Sequence, residues 1–260
     1  MALIVNACAS GAPGLTTTLV GLALNWPTHV LLSECDREPA QSVLAGYLQG
    51  TDPGLRGLGA LAQAHRERRP LESEVLAQAV PLDRAHSLRR SFLPGFSNPA
   101  AAPLFLPVWA DLAAAFAATS RAGIDVLVDA GRIGPALPSA LLAEADLVVV
   151  WCRSGLRSLA GLRLYLPAVV EALAERPDRL VLGVIGPDQP YSATEIQRQF
   201  ATDVAVEVAD APALAAVYSE GRTPPRKFPQ SGYVRSLRAA ASRLITRVEW
   251  QRREISGGAA

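Results

Sequence analysis

Lysine is almost absent from this 260-residue sequence, and Lys227 is the only one. The other basic residues are arginines, and acids balance them so closely that the formal net charge is +1. A near-neutral chain is not attracted as a whole to nucleic acid or to anionic membranes. Scarce lysine beside abundant alanine, arginine, glycine and proline is typical of a GC-rich coding bias.

Cysteine is also scarce, and Cys8, Cys35 and Cys152 lie far apart in the chain. An odd number of widely spaced cysteines predicts neither a disulfide framework nor a metal site built on cysteine doublets. No apolar run approaches the ~20 residues that span a bilayer. No positive charge precedes the apolar N-terminal stretch, so the sequence predicts a cytoplasmic protein without a signal peptide.

Half of the residues are hydrophobic, and they form strand-like and helix-like runs that alternate along most of the chain. Continuous apolar strands separated by helices are typical of a parallel sheet that is covered on both faces. The sequence therefore predicts a doubly wound α/β fold with a mostly parallel sheet of about seven or eight strands. The predicted strands are residues 2–7, 29–33, 87–93, 124–128, 147–151, 180–185 and 204–208. The predicted helices are residues 19–25, 39–48, 55–66, 108–121, 156–176, 193–200 and 212–220, and residues 94–107 are predicted to be a loop.

Residues 1–222 are predicted to form one domain, followed by a proline-rich hinge and a basic tail at residues 223–260. The tail has a helical pattern over residues 233–255, with Leu237 and Leu244 on an apolar stripe. Six arginines lie largely off that stripe: Arg235, Arg238, Arg243, Arg247, Arg252 and Arg253. The helix is predicted either to pack on the domain with a solvated basic face or to contact a membrane, DNA or a partner protein.

The segment from Ser10 to Thr18 reads SGAPGLTTT and lies between an apolar strand and an apolar helix. A strand, a glycine loop and a helix in this order are the context of a phosphate-binding P-loop. A complete loop ends in Gly-Lys-Thr, whereas this one reads Gly14-Leu15-Thr16. Leu15 has neither a charge nor a donor, so two interpretations stay open. The loop either attracts an anion through backbone N–H groups or is a tight turn without a ligand.

Polar residues follow several predicted strands, at the edge where open parallel sheets bind their ligands. Glu34 and Asp36 follow the second strand, and Asp129 follows the strand at residues 124–128. We expect Thr16, Asp36 and Asp129 to converge on one pocket. The alternative is that these carboxylates cap helices or lie in solvent at strand ends.

These motifs, in this order, resemble the ParA/MinD family of deviant-Walker ATPases over residues 2–220. The matching segments are SGAPGLTT at residues 10–17, LLSECD at 31–36, DVLVD at 125–129 and ADLVVV at 145–150. The resemblance implies a P-loop NTPase fold. It also implies that Thr16 supplies a magnesium-binding hydroxyl, that Asp36 positions water and magnesium, and that Asp129 is the Walker B carboxylate.

The resemblance implies ATP or ADP with Mg²⁺ as the cofactor, and a pocket that binds no cofactor stays open as the alternative. The implied nucleotide-binding residues are Gly11, Ala12, Pro13, Gly14, Leu15, Thr16, Thr17, Asp36 and Asp129. The implied magnesium ligands, if a nucleotide binds, are Thr16, Asp36 and Asp129.

The chain departs from the family pattern at both of its lysines. The first, which reaches the nucleotide of the partner subunit, falls on Ser10, and the second falls on Leu15. Phosphoryl transfer depends on positioned positive charge, so these two losses predict a protein without catalytic residues. Arg37 and Arg153 are the candidate replacement cations.

The resemblance further implies a homodimer. With both lysines missing, it implies a non-catalytic protein that positions or scaffolds a bacterial assembly, similar to the TadZ/CpaE-type proteins of Tad (Flp) pilus machines. Such a protein is expected in the cytoplasm, recruited to the membrane or cell pole by its partners. Two alternatives stay open: a ParA-like ATPase that partitions DNA or cargo, and a DNA-binding module that uses the arginine-rich tail.

Overall fold

A computed structural model describes residues 1–9, 14–83, 87–134 and 137–257. Within these residues the strands are β1 (Leu3–Cys8), β2 (Val30–Glu34), β3 (Val80–Pro81), β4 (Arg90–Leu93), β5 (Asp125–Arg132), β6 (Leu147–Arg153), β7 (Leu180–Ile185) and β8 (Val204–Val208). The α-helices are α1 (Leu15–Leu24), α2 (Leu58–Arg66), α3 (Leu71–Glu74), α4 (Trp109–Arg121), α5 (Ser139–Glu144), α6 (Leu156–Ala172), α7 (Ala193–Phe200), α8 (Pro212–Ser219) and α9 (Gly232–Gly257). Shorter helical turns are a π-helix at Val43–Tyr47 and 3₁₀ segments at Pro99–Ala101, Pro103–Val108, Pro177–Arg179 and Phe228–Gln230.

The strands of the described residues form one sheet in the order β3-β4-β2-β5-β1-β6-β7-β8. The neighbouring strands are parallel, apart from β3, which runs antiparallel to β4 at one edge. Every residue of the central strand β1 is buried, as a parallel sheet with helices on both faces requires. The predicted doubly wound, mostly parallel sheet is confirmed.

Alternate side chains of the strands enter two apolar layers because successive residues of a strand point to opposite faces. Leu3 and Val5 pack in the layer that helices α2 to α7 cover. Ile4 and Trp151 pack in the other layer, which α1, α8 and α9 cover. The helices therefore lie on both faces and leave the strand ends at the two edges.

A buried aspartate joins several elements at the amino-end edge of the sheet. Asp125, the first residue of β5, accepts hydrogen bonds from the Ala2 backbone N–H at 2.5 Å, from Trp26 Nε1 at 2.9 Å and from Thr28 Oγ1 at 2.5 Å. Trp26 and Thr28 lie between α1 and β2, so one carboxylate fixes two chain segments relative to β5. Asp125 belongs to a predicted strand, but its role was not among the sequence-based predictions.

The C-terminal helix α9 packs on the sheet and on α1. Leu237, Leu244 and Val248 are buried in the same apolar layer as α1. Three arginines of its polar side form ion pairs with acids of the domain: Arg243 with Glu207 at 3.7 Å, Arg247 with Asp203 at 3.0 Å and Arg252 with Asp146 at 2.8 Å. Helix α9 therefore packs on the domain, which is the first of the two predicted alternatives. Three of its arginines are engaged in ion pairs within the chain. The boundary at residue 222 stays a prediction.

Two local predictions differ from the structure. The sequence predicts an α-helix over residues 39–48, whereas the regular part is the π-helix Val43–Tyr47. It predicts a loop over residues 94–107, but Phe96 and Phe105 are buried there and pack against Trp109 at ring-centroid distances of 6.2 and 4.7 Å. Burial of aromatic surface outweighs the local turn preference of the prolines.

The segment Pro103–Arg121 is long and apolar enough to cross a membrane by length and composition alone. This segment is not the uninterrupted apolar run that the sequence analysis considered, since its 19 residues include Asp111 and Arg121. The fold explains the apolar character of the segment, since 56% of its most apolar window is buried and Leu112 and Phe116 lie fully inside the core.

Candidate functional site

The carboxyl ends of β1, β2 and β5 bring most of the predicted site residues to one edge of the sheet. Gly14 precedes α1 with φ +83°, a left-handed conformation that glycine adopts at little cost. Its carbonyl oxygen accepts the Thr18 N–H at 3.0 Å, the first turn of α1. Ser10, Gly11, Ala12 and Pro13, which include three predicted nucleotide-binding residues, lie outside the described residues.

Leu15 is buried in the apolar layer beneath α1. Its relative exposure is 5%, and it belongs to the same cluster as Leu19 and Trp151. Thr16 and Thr17 are half-buried at the start of the helix. Leu15, the residue that the motif comparison aligns with the loop lysine, therefore contributes to the core.

Thr16 and Asp129 are in direct contact. Thr16 Oγ1 donates to Asp129 Oδ2 at 2.6 Å, and the Gly131 backbone N–H donates to Asp129 Oδ1 at 3.0 Å. Asp129 lies inside β5, not after it, and is 2% exposed. Burial, with the nearby Asp36 carboxylate, raises the pKa of Asp129 to about 6, against the opposing effect of these two hydrogen bonds.

Two further carboxyl groups lie close to Asp129. Glu34 is the last residue of β2 and lies opposite Asp129 in the pairing of β2 with β5. It is 3% exposed, and its carboxylate accepts a hydrogen bond from the Gly95 N–H at 3.3 Å. Burial, followed by the Asp129 charge, raises the pKa of Glu34 to about 7. Burial also raises the pKa of Asp36, whose Oδ1 accepts the Glu38 N–H at 2.9 Å.

Glycine is required where β5 passes Asp36. Gly131 has φ +68°, and a Cβ at this position would overlap the carboxyl group of Asp36. Asp36 and Asp129 are therefore held together by backbone packing as well as by the sheet register. Two residues in the sequence could have indicated this arrangement, the acid Glu34 and the glycine two residues after Asp129. Neither was included among the predicted site residues.

Two of the three arginines near these acids in the sequence or the sheet form ion pairs with other carboxylates. Arg132 pairs with Glu38 at 3.2 Å, and Arg153 pairs with Asp210. Arg37 is half-buried, and its Nε has no hydrogen-bond partner among the described residues. Of the two candidate replacement cations, Arg37 is the one without an ion pair in the described part of the chain.

The three cysteines are buried, and burial raises the pKa of each thiol to about 12, which disfavours the reactive thiolate. Within the described ranges, no group of three or more His, Cys, Asp or Glu side chains could hold a metal ion. A metal at this edge would therefore need the Thr16 hydroxyl or oxygens from a bound ligand.

Solved structures with high structural similarity include a ParA family ATPase from Chlorobium tepidum TLS, with a TM-score of 0.69 and 13% identity over 93% of this chain and 99% of that chain. Another is the MinC:MinD cell division protein complex of Aquifex aeolicus, with a TM-score of 0.71 and 14% identity over 95% of this chain and 96% of that chain. This chain has the ParA/MinD fold. A third structure with this fold is an ATP complex of a variant of Cyanothece McdA, with a TM-score of 0.65 and 16% identity over 94% and 96% of the two chains. No protein-family model and no curated protein matches the sequence.

The ParA/MinD fold raises the question of whether this edge fits a magnesium nucleotide. The Thr16 hydroxyl and the Asp129 and Asp36 carboxylates are oxygen donors of the kind that Mg²⁺ prefers. The described loop residues supply no cation for phosphate, because Leu15 is buried and uncharged. The metal donors fit a magnesium ion, whereas the part of the loop that the structure describes offers a phosphate backbone N–H groups and the dipole of α1 but no cation.

Proposed function

We propose that this protein is a ParA/MinD-like pseudo-ATPase that positions or scaffolds a larger bacterial assembly without hydrolysing ATP. The observation that carries the proposal is Leu15, which stands at the position of the loop lysine and is buried in the core beneath α1. Phosphoryl transfer is catalysed almost entirely by positioned charge. Loss of a single such contact typically costs on the order of 100- to 1000-fold in rate.

The retained oxygen donors support weak nucleotide binding as part of this proposal. Thr16 and Asp129 are hydrogen-bonded at 2.6 Å, and Asp36 lies against Gly131 beside them. The McdA structure with this fold is an ATP complex. If a nucleotide binds at this edge, the scaffold is regulated by a ligand. If none binds, the scaffold acts without one.

The family resemblance is the basis for two further parts of the proposal: the oligomeric state and the assembly that the protein serves. Family members dimerise face to face, and the MinD structure is a complex with a partner, MinC. We propose a homodimer in the cytoplasm that its partners recruit to the membrane or cell pole. A Tad/Flp pilus machine is the assembly that the degenerate loop suggests.

A ParA-like ATPase is the second candidate, and one observation favours it. Arg37 follows Asp36 directly in the chain, and its buried Nε has no hydrogen-bond partner among the described residues. We propose Arg37 as the cation that would serve the acidic edge, the strand ends that carry Glu34, Asp36 and Asp129. The DNA-binding candidate has less support, since Arg243, Arg247 and Arg252 already pair with acids of the domain.

Calorimetric titration with ATP and ADP in the presence of Mg²⁺, together with a phosphate-release assay, tests the proposal. We expect weak or no binding by the native chain and no turnover. Leu15→Lys is expected to raise ATP affinity about tenfold or more, equivalent to about 1.4 kcal/mol, because a long side chain can extend its ammonium group out of the core. Leu15→Met is the matched control and is expected to leave affinity unchanged.

Turnover by the native chain at the rate of an ordinary partition ATPase would overturn the pseudo-ATPase proposal. If Arg37→Ala then abolished that turnover, the second candidate would be established. No gain from a folded Leu15→Lys variant would show that the edge does not accept phosphate.

A further inference from the structure

The outer side of α6 exposes apolar residues where a surface helix normally presents polar ones. Leu156 is 68% exposed and Val170 is 45% exposed, at opposite ends of the helix. Between them, Ala160 and Pro167 are also exposed. The solvent side of this helix is therefore suited to contact with another molecule.

A groove runs between α6 and α7 along this apolar side. Its first part has a volume of about 570 Å³ and its second part about 560 Å³, and Arg163, Gln199 and Phe200 line both. Leu156 lines one end and Val170 the other. At a rise of 1.5 Å per residue, the span between them is about 21 Å, or four turns of a helix.

Two arginines line the groove, Arg163 where its two parts meet and Arg198 in the first part. Arg163 and Arg198 both line its first part, from α6 and α7 respectively, and neither forms an ion pair among the described residues. Glu195 also lines this part and offsets one of the two positive charges: its carboxylate accepts hydrogen bonds from the Ser192 N–H and Oγ at 2.8 and 2.7 Å, and these bonds together with the Arg198 charge lower its pKa. Two arginines against one glutamate leave this part with a net positive charge. Glu171 lines only the far part. The middle of the groove therefore favours an acidic side chain.

We propose that this groove binds an amphipathic helix of a partner protein, with apolar residues toward Leu156 and Val170 and an acidic residue between Arg163 and Arg198. Helix-in-groove recognition uses apolar anchors spaced along several turns, which the length of this groove provides. A second copy of α6 fits less well, because it would place Arg163 against a like charge. None of the residues that line the groove belongs to the acidic edge.

Fluorescence anisotropy with a synthetic probe tests the proposal on the full chain. The probe is a labelled amphipathic helix of about 18 residues, with leucines at i, i+4, i+7 and i+11 and glutamates at its centre. A second probe replaces those glutamates with lysines. We expect the acidic probe to bind and the basic probe to bind at least tenfold more weakly.

Matched variants locate the binding. Leu156→Ser and Arg163→Glu are each expected to weaken the acidic probe about tenfold, and Arg163→Glu is expected to strengthen the basic probe. Leu164→Ser and Arg157→Glu are the controls, since both residues are exposed on α6 and line neither part of the groove. They are expected to change affinity less than twofold.

Equal binding of both probes, equal effects of the control variants, or no binding of either probe would overturn the proposal. Sedimentation gives an independent check. If the native chain is a dimer and Leu156→Ser converts it to a monomer, a second copy of the chain occupies the groove. That result would also overturn the proposal of a partner helix.

Discussion

Strand β5 carries two aspartates, Asp125 at its first residue and Asp129 in its interior, which are equally buried at 2% exposure each yet have different surroundings. Asp125 accepts three hydrogen bonds, from Ala2, Trp26 and Thr28, which belong to two separate segments. Asp129 accepts two, from Thr16 and Gly131, and lies near the carboxyl groups of Glu34 and Asp36.

The difference separates an acid enclosed by hydrogen-bond donors from an acid that lies among other carboxyl groups. Donors surround Asp125, so its hydrogen bonds tie β5 to two other segments of the chain. Burial raises the pKa of Asp129 to about 6 and that of Glu34 to about 7, so charge at this edge opposes folding. Carboxyl groups whose pKa values are raised in this way are typical of functional sites.

The largest effect is expected at the amino end. Asp125→Asn should lower the unfolding free energy by about 4 kcal/mol, because the amide group loses the charge and cannot accept from all three donors. Asp129→Asn is the matched control, and at pH 8 we expect no loss from it, since it removes a charge from the acidic edge. Urea unfolding at pH 8 measures both, and equal losses would contradict the comparison.

The second prediction concerns pH. The pKa of Glu34 rises from its ordinary value of 4.5 to about 7 in the folded protein. Below pH 4.5 both states hold the proton; as the pH rises toward 7 the unfolded state releases it first, so stability falls. The native chain should lose up to about 3 kcal/mol across this window through Glu34.

Glu34→Gln should remove most of that loss, leaving the smaller decrease due to Asp129 at lower pH. Unfolding curves at a series of pH values provide the measurement. Glu38→Gln, at an exposed carboxyl group, is the control and should keep the native profile. An unchanged pH dependence in Glu34→Gln would show that Glu34 ionises normally.

The third prediction compares glycines beside the two ends of β5. Gly123 and Gly131 have φ of +98° and +68°; a Cβ on Gly131 would overlap Asp36 Cγ, whereas one on Gly123 would have no neighbour within 4 Å. Alanine at either site should cost about 1 kcal/mol for the left-handed backbone. Gly131→Ala should cost about 2 kcal/mol more because Asp36 must move. Thermal unfolding of both variants tests this, and equal costs would argue against close packing at the acidic edge.

Much of the fold could be predicted from the order of apolar runs. The bounds of β7, α7 and β8 agree with the predicted ranges, because their flanking turns and periodicity are local signals. The burial of Phe96 could not be predicted, since its partners Phe105 and Trp109 are brought to it by the folding of residues 94–107 onto α4. The length of β5 was also underestimated, because its pairing with β1 and β2 extends it beyond residue 128.

Part of the candidate site could also be predicted. The motif positions indicated Thr16 and Asp129, and the structure brings them into hydrogen-bond contact. The contribution of Glu34 depends on its register with Asp129, and that of Gly131 on its approach to Asp36. Neither distance can be read from spacing along the chain.

The sequence by itself determined the alternation of strands and helices, the missing loop lysine and the acids near the strand ends, because these depend on residue type and order. Only the tertiary structure decided that Leu15 enters the core, that Asp125 and Asp129 have opposite surroundings, and that α6 and α7 form an apolar groove. Each of these depends on distances between segments far apart in the chain, which the packing of helices on the sheet sets.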